Sequence, residues 1–445
     1  MKKYMFTNKD LKKLIVPLFF EQLLAILVGL ADTFVISFVG EAAVSGVSLV
    51  NSFNTIFIYL FTALAAGGAV IVSQYIGGEK EELAGESASQ LLMISTLFSV
   101  LMAIAVLVSG HSLMRLLFGR VEPEVMDACM IYLRISAFSY PALAVYNAGA
   151  ALYRSIGKTS ITMYIAVISN IINVIGNVVC VFIFHMGVAG VAYPSLIARV
   201  FSAVAVTVFC LRKENGVYYR RQWIFHWNPE LLKRILGIAV PNGTEQGIFQ
   251  FVKVALSSIV ALFGTYQIAA NGIAQSIWSL AALVCVTMGP VFITVIGQCM
   301  GSRDTVQAEY YFRKLLKITL LISIVWNAFI FALTPVVMQF YDVAEETKRL
   351  TVLLVLIHNV FNCIAFPFAD SLGKGLRAAG DVSFTTVVSI GTTIGARLLF
   401  SILFGIVFDM GVIGIAGAMC LDWCIRAVIF YIRFKRGKWK QFKII

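Results

Sequence analysis

Charged side chains are scarce in this sequence. Only 13% of its 445 residues are Asp, Glu, Lys or Arg, and 60% are hydrophobic, whereas a typical soluble domain is about 25% charged and ~45–50% apolar. No polar segment is long enough to form a soluble domain, which excludes a soluble enzyme. Apolar stretches of the roughly 20 residues that a helix needs to cross a bilayer follow one another along the chain. The sequence therefore predicts an all-α polytopic membrane protein.

Side chains that build metal and catalytic centres are also sparse. The eight cysteines and four histidines are scattered, with no C-x-x-C motif and no cluster at metal-ligand spacing, so we expect the thiols to pack as small apolar groups. Gly157, Lys158 and Thr159 resemble the end of a phosphate-binding loop, but Leu152 stands where that loop needs its first glycine. We therefore expect no enzyme activity and no cofactor, and any transport would use an ion gradient.

Twelve membrane-spanning helices are predicted from the apolar stretches. They cover approximately residues 14–39, 50–76, 88–109, 129–153, 160–184, 188–211, 236–262, 271–299, 314–338, 350–373, 382–407 and 411–432.

The net charge of +12 is distributed unevenly. Most lysines and arginines lie at the two termini and in the connections on one side, around Lys80, Arg154, Arg212, Arg303 and Lys374. This asymmetry is the positive-inside signal, which predicts a multi-pass protein of the cell (plasma) membrane with both termini in the cytoplasm. The basic runs then serve orientation and contact with the lipid bilayer, and no nucleic-acid partner is expected.

The two halves of the chain repeat each other at an offset of 224 residues. Pro17, Glu21, Gln22, Gly40, Gln74 and Gly187 recur as Pro241, Glu245, Gln246, Gly264, Gln298 and Gly411. Duplicated halves in an apolar chain favour a transporter whose site lies between the halves. We predict an N-terminal six-helix lobe over residues 1–211, a cytoplasmic interfacial linker over 212–235 and a C-terminal six-helix lobe over 236–445. For the linker, a regulatory arm is the alternative.

Ionisable residues within the spans are the first functional candidates, because burying one in a bilayer costs about 2.5–3.5 kcal/mol on insertion scales. Asp32 lies deep in the first span, and its counterpart at the repeat offset is Leu256. The duplication therefore does not explain Asp32. Protonation removes most of the cost of burial, so Asp32 is a candidate proton or cation carrier. The alternative is a polar residue satisfied by a neighbouring helix.

The fifth span carries a stripe of amides. Asn170, Asn173 and Asn177 are spaced at i, i+3 and i+7, which places them on one helix face. Near Asp32 they would surround a carboxylate with neutral oxygens, a composition that suits Na⁺ or a proton network. Packing between helices is the alternative.

Other charged residues within the spans have open roles. Glu21 and its counterpart Glu245 are either a gate at the base of a cleft or structural features of a helix start after proline. Lys253 either lines the cavity or pairs with a carboxylate. Asp422 and Arg426 are at i, i+4 and should pair with each other.

These residues and motifs resemble the multidrug and toxic compound extrusion (MATE) family along essentially the whole chain, with the DNA-damage-inducible-F-like branch as the closest match. The similarity is carried by Pro17 to Asp32, by the Gln-x-x-Gly endings at Gln74 and Gln298, by the segments beginning at Arg154 and Arg377, and by the Gly-x-x-Gly-x-Ala motifs at Gly187 and Gly411. The resemblance implies two six-helix repeats in a V-shaped arrangement. It also implies export of small amphipathic, often cationic compounds in exchange for H⁺ or Na⁺.

The resemblance assigns a cation-coupling set. Asp32 falls on the family's first-helix aspartate, and Asn173 falls on its fifth-helix asparagine. Asn177 replaces the fifth-helix aspartate, and Ser195 stands where the family often has threonine. The site therefore keeps one carboxylate, with a possible Na⁺ at Asp32.

A second set of residues is assigned to the substrate cavity or gate: Glu21, Glu245, Lys253 and Asp370. Another branch of the family has a glutamate in its seventh helix and an aspartate in its tenth. The positions of this chain that align with them are Phe249 and Phe366, one helical turn from Glu245 and Asp370. Those roles are therefore not transferred, although Glu245 and Asp370 can both reach the C-terminal cavity.

The predicted function is secondary active efflux of drugs or toxic compounds by a monomer. The alternative is a lipid-linked oligosaccharide flippase of the same superfamily, which would need a cavity rich in arginine to match pyrophosphate. Arg199, Arg397 and Arg426 are the arginines that the spans offer for that purpose.

Overall fold

The computed structural model describes residues 5–119, 121–341 and 343–445. Within these residues the chain is helical and contains no strand. Eleven helices are long and apolar enough to cross a membrane, and a bent pair of shorter helices supplies a twelfth span. The twelve predicted spans are therefore confirmed. Residues 1–4 of the predicted N-terminal lobe lie outside the described part of the chain.

The first half contains six spans formed by seven helices. They are α1 (Asn8–Ser37), α2 (Glu41–Gly77), α3 (Glu81–Phe118), α4 (Pro123–Phe138), α5 (Tyr140–Ser155), α6 (Thr159–Ile183) and α7 (Ala189–Cys210). The pair α4 and α5 forms one span with a bend of 44°. The last turn of α6, Val179–Ile183, is a π-helix.

The second half repeats this order after the short helix α8 (Arg221–Ile224). Its helices are α9 (Pro229–Phe263), α10 (Thr265–Ala281), α11 (Leu283–Gly301), α12 (Thr305–Gln339), α13 (Glu345–Ile364), α14 (Leu372–Ala378), α15 (Val382–Val407) and α16 (Gly411–Lys435). Here α10 and α11 follow each other across one residue, and the π-helical turn Pro367–Ser371 leads from α13 into α14. Two further π-helical turns, Thr393–Leu398 and Leu403–Val407, lie within α15.

The chain divides into two compact units. One contains Asn8–Gly243, and the other contains Thr244–Ile445 together with residues 5–7. The division falls inside α9. The start of the chain is held to the second unit by Phe6, whose amide nitrogen lies 2.8 Å from the hydroxyl oxygen of Tyr311.

Each unit has its own buried core. In the first unit, the core includes Val50, Phe61 and Tyr140, from α2 and α5. In the second unit, the stacked indoles of Trp278 and Trp423 have ring centroids 5.8 Å apart. Helices in a bilayer associate mainly through close packing and hydrogen bonds, since lipid is as apolar as their side chains.

The repeated Gly-x-x-Gly-x-Ala motif has the same structural role in both halves. Gly187 and Gly411 have φ values of +59° and +57°, which side chains with a Cβ rarely adopt. A Cβ added at Gly190 would lie 3.0 Å from Val181, and one at Gly414 would lie 2.6 Å from the backbone of Phe404. Each motif therefore turns the chain into the last span of its half and lets that helix approach the preceding one.

Breaks in the spans leave backbone carbonyls that need donors, because a bilayer supplies none. At the break between α10 and α11, Trp326 Nε1 donates to the carbonyl oxygen of Leu280 at 2.8 Å. Asn362 Nδ2 donates to the carbonyl oxygen of Ala281 at 3.0 Å. Side-chain donors of neighbouring helices therefore stabilise this irregular backbone.

The segment between the two halves packs on the first unit. Gln90 of α3 donates to the carbonyl oxygens of Trp223 and His226 at 2.6 and 2.5 Å, and its own carbonyl accepts from the amide of Asn228 at 3.1 Å. Helix α9 begins at Pro229, earlier than the residue 236 at which we placed the second lobe. The side chain of Asn228 accepts from the amide of Leu231 at 3.2 Å, as a helix N-cap does.

Candidate functional site

The predicted cation-coupling residues lie together in the first unit. Asn177 of α6 donates to the Asp32 carboxylate of α1, with 2.6 Å between Nδ2 and Oδ1. The same amide nitrogen lies 3.2 Å from Asn173 Oδ1, and Asn173 Nδ2 donates to Ser195 Oγ of α7 at 2.8 Å. A continuous chain of hydrogen bonds therefore joins α1, α6 and α7.

Burial differs along this hydrogen-bonded chain. Asn177 is fully buried and Asn173 nearly so, whereas Asp32 is only partly buried. Asp32 therefore forms the accessible end of the chain, where an ion could reach it. Asn170, the third amide of the predicted stripe, makes no side-chain hydrogen bond within the described part of the chain.

Arg199 of α7 was not assigned a role from the sequence, and it lies within electrostatic range of Asp32. Its guanidinium donates to Ser139 Oγ at 2.6 Å, at the break between α4 and α5. Arg199 therefore supplies positive charge to the site without occupying the carboxylate by a salt bridge.

The oxygens of this site suit a hard cation. Asp32 offers a carboxylate, Asn173 and Asn177 offer amide carbonyls, and Ser195 offers a hydroxyl, which are the ligand types of Na⁺-like ions. The carbonyl oxygen Oδ1 of Asn177 is buried and has no hydrogen-bond partner in the described structure. Because an unpaired buried acceptor is costly, this oxygen is available to a cation or to a donor. The residues present therefore fit either H⁺ at the carboxylate or Na⁺ among the oxygens.

Glu21, the other carboxylate of α1, is occupied by protein groups. Arg154 Nη2 lies 2.6 Å from Glu21 Oε1, and Tyr146 donates to the same oxygen at 3.2 Å. Thr162 Oγ1 donates to the second oxygen, Oε2, at 2.8 Å. Four residues from α1, α5 and α6 thus form a closed polar cluster.

The second half repeats this arrangement. Arg377, at the end of α14, donates through Nη2 to Glu245 Oε2 of α9. The pair corresponds to Arg154 and Glu21 in the alignment of the halves. Both repeated glutamates are therefore ion-paired to the end of the fourth span, which favours the structural alternative over a gate.

Lys253 and Asp370, the remaining predicted cavity residues, are not brought together. Asp370 pairs within its own helical segment with Lys374, with 2.8 Å between Oδ2 and Nζ. Lys253 is exposed on α9 and forms no ion pair with a carboxylate of the described residues.

A buried charge cluster in the second unit was only half predicted. Arg426 Nη2 lies 2.8 Å from Asp422 Oδ1, which confirms the expected i, i+4 pair. Arg397 of α15 also binds Asp422, with 2.9 Å between Nη2 and Oδ2. The sequence carried no signal for this second partner, because the contact joins two helices and depends on their packing.

The two halves of the chain each match the same family of known proteins. The family model MatE matches residues 17–179 and again residues 241–403, so each half matches the same unit. The chain belongs to the MatE family. It is therefore a multi-pass membrane transporter and not an enzyme, as predicted, and the two-repeat architecture is confirmed.

Curated relatives of this MatE protein match over nearly its full length. It is 26% identical to the uncharacterized transporter YisQ of Bacillus subtilis, covering 99% of both chains. It is 21% identical to a probable multidrug resistance protein NorM of Thermotoga maritima, covering 98% of this chain and 93% of the relative. Among solved structures, an outward-facing multidrug resistance MATE transporter aligns with a TM-score of 0.90 at 20% identity, covering 96% of this chain and 95% of the other. This last likeness shows the shared fold.

Proposed function

We propose that this MatE protein exports small amphipathic compounds, often cationic, in exchange for H⁺ or Na⁺ that binds at Asp32. The observation that carries the proposal is the 2.6 Å hydrogen bond from Asn177 to the only partly buried Asp32 carboxylate. Several relatives bear the name multidrug resistance protein, which supports drugs as the substrate class. The transporter is proposed to act as a monomer in the plasma membrane, with both termini in the cytoplasm.

The coupling step follows from the charge at Asp32. While the carboxylate is ionised, it accepts a charge-assisted hydrogen bond from Asn177, which holds α1 against α6. H⁺ or Na⁺ at Asp32 neutralises that charge and weakens this hydrogen bond. The balance between two arrangements of α1 then shifts, provided that the ion binds one arrangement more tightly than the other.

The energy available from one ion is sufficient for useful export. When one ion is exchanged for an uncharged substrate, the charge that crosses a membrane potential of 100 mV releases about 2.3 kcal/mol. Since about 1.4 kcal/mol corresponds to a tenfold ratio, that supports a substrate gradient of roughly 40-fold. A single carboxylate is therefore enough for coupled efflux.

The lipid-linked oligosaccharide flippase is not favoured as an alternative. The relatives reported above are a transporter and multidrug resistance proteins. Of the span arginines, Arg199 donates to Ser139 and Arg426 binds Asp422, which leaves fewer cations for a pyrophosphate group.

Accumulation of a cationic dye such as ethidium in cells tests the proposal. Cells expressing the chain should hold less dye than cells without it, and an H⁺ uncoupler or removal of Na⁺ should abolish the difference. Asp32→Asn should also abolish it, while the exposed Glu41→Gln should not. Undiminished efflux in Asp32→Asn cells, at equal membrane expression, would refute the assignment.

A further inference from the structure

In the buried charge cluster of the second unit, two arginines share one carboxylate. Asp422 is fully buried and accepts from two guanidinium groups, those of Arg397 and Arg426. Three further contacts engage Arg426: Thr392 Oγ1 at 3.1 Å, Thr393 Oγ1 at 2.9 Å and the carbonyl oxygen of Ser389 at 3.3 Å. Protein groups therefore engage both Nε and Nη2 of Arg426.

Arg397 also keeps one N–H edge without a protein partner in the described structure. Its Nε and Nη2 both bind Asp422, at 3.0 and 2.9 Å, whereas Nη1 has no hydrogen-bond partner among the described residues. The residue lies in the π-helical turn Thr393–Leu398, a type of irregularity that is frequent at functional sites. A guanidinium with a free N–H edge is suited to bind a carboxylate or phosphate.

Lys253 supplies a second cation, on the face of α9 that contacts Arg397 through Phe249. The ring of Phe249 on α9 lies 4.9 Å from the Arg397 guanidinium carbon. Lys253 follows Phe249 by one helical turn and so shares its face. It lies within electrostatic range of Arg397. Since Lys253 is exposed within an apolar helix and has no carboxylate partner in the described structure, it is accessible to a ligand.

His358 of α13 supplies further unused donor capacity near these cations. It is only 1% exposed, and neither ring nitrogen has a hydrogen-bond partner in the part of the chain that is described. The ring lies within electrostatic range of Arg397. A buried imidazole without partners is costly, so a bound group that accepts from it would stabilise it.

Two other carboxylates within the spans of this unit are already engaged by cations of their own. Glu245 is bound by Arg377, and Asp370 is bound by Lys374. The first unit differs, because there the partly exposed side chain is the anion Asp32. Uncompensated positive charge within a membrane is unfavourable, so an anion from outside the chain would stabilise it.

We propose that Lys253, Arg397 and His358 form a binding site for the anionic group, a carboxylate or a phosphate, of an amphipathic molecule. The donors are an ammonium, a guanidinium edge and an imidazole, and the ring of Phe249 offers an apolar contact for the rest of the molecule. This extends the proposed export function to substrates that carry a negative group. Binding can be measured without transport, so the two proposals can fail separately.

The test measures binding of a fluorescent carboxylate to the full-length protein in nanodiscs of phosphatidylcholine. The probe is 11-(dansylamino)undecanoic acid, its methyl ester is the uncharged control, and energy transfer from tryptophan reports binding. The wild type should bind the acid more tightly than the ester. Lys253→Met should weaken binding of the acid by about 10- to 100-fold, the range expected for a hydrogen bond to a charged group. Binding of the ester should stay unchanged.

Lys233→Met is the matched control, because Lys233 is also an exposed lysine on α9 but lies outside the cluster. Arg397→Gln provides a second variant that leaves Asp422 paired with Arg426, and Lys253→Met decides the question if that variant misfolds. Competition by phosphatidylglycerol would identify a lipid phosphate as the anion, and its absence would identify the free carboxylate. Equal binding of acid and ester by the wild type, or full binding of the acid by Lys253→Met, would overturn the proposal.

Discussion

Arg154 and Glu21 form a nearly buried ion pair, with 2.6 Å between Nη2 and Oε1, and the second half of the chain repeats the pair as Arg377 and Glu245. Each pair joins the first span of its half to the end of the fourth. Duplication has therefore preserved a specific tertiary contact in addition to the spans. Such a pair fixes the position of the first span, the same helix that carries Asp32 in the first half.

Removing one partner of this pair should be costly. Glu21→Ala leaves Arg154 buried without its carboxylate, and we expect a loss of about 3–5 kcal/mol, typical of a broken buried ion pair. The thermal unfolding of the purified protein in detergent should shift down accordingly. Glu345→Ala removes one partner of the exposed Arg349–Glu345 pair and should change stability by less than about 1 kcal/mol. Equal shifts in the two variants would show that Glu21 has no special structural role.

The amide of Asn177 should matter through its contact with Asp32. Asn177→Leu removes the amide that donates to Asp32 and to Asn173. We expect this loss to destabilise the hydrogen-bonded arrangement of α1 against α6 by about 1–3 kcal/mol. Ion-coupled dye efflux should fall strongly while the protein still inserts. Asn170 lies on the same stripe but makes no side-chain hydrogen bond among the described residues, so Asn170→Leu should retain efflux. If the two leucine variants behave alike, the hydrogen bond to Asp32 has no part in coupling.

Replacing Asn177 by aspartate tests the number of carboxylates. Asn177→Asp places a second carboxylate next to Asp32, at the hydrogen-bonding distance now occupied by the amide. Two neighbouring carboxylates favour sharing a proton or binding a cation between them. Like charges at this spacing change the free energy of ion binding by over about 1.4 kcal/mol. We therefore expect the ion concentration that gives half-maximal efflux to change by about tenfold or more. An unchanged ion dependence would argue against an ion site at this position.

The segment between the halves should be released by a single change in α3. Gln90→Leu removes the donor to the carbonyl oxygens of Trp223 and His226 and the acceptor for the amide of Asn228. Trypsin should then cut at the neighbouring Arg220 or Arg221 several times faster, which timed gel electrophoresis would show. Ser112→Ala, an exposed change at the other end of α3, is the control. Equal cleavage rates would mean that Gln90 does not hold the segment.

The fold was largely predictable because its signals are local. Apolar stretches of sufficient length marked the spans, and the spacing of Asn173 and Asn177 placed both on one face of α6. Asn228 and Pro229 form an ordinary N-cap and first-turn signal for α9, which begins at Pro229, before the predicted start of the span at residue 236.

The parts that could not be predicted depend on packing between helices. The contact of Arg397 with Asp422 joins α15 to α16, and no sequence spacing encodes it. The break between α10 and α11 falls at Ala282, a residue with no tendency to break a helix, and is stabilised by Asn362 and Trp326 from other spans. For the same reason, the sequence could not show that Lys253 lies within electrostatic range of Arg397.

Ion movement driven by substrate in proteoliposomes tests the central claim, that Asp32 couples ion entry to export, most directly. Purified protein is reconstituted with a pH-sensitive or Na⁺-sensitive dye inside, and ethidium is added to drive exchange. The wild type should move H⁺ or Na⁺ opposite to the substrate, and Asp32→Asn should bind ethidium but move no ion. Substrate-driven ion movement in Asp32→Asn at the wild-type rate would contradict the claim.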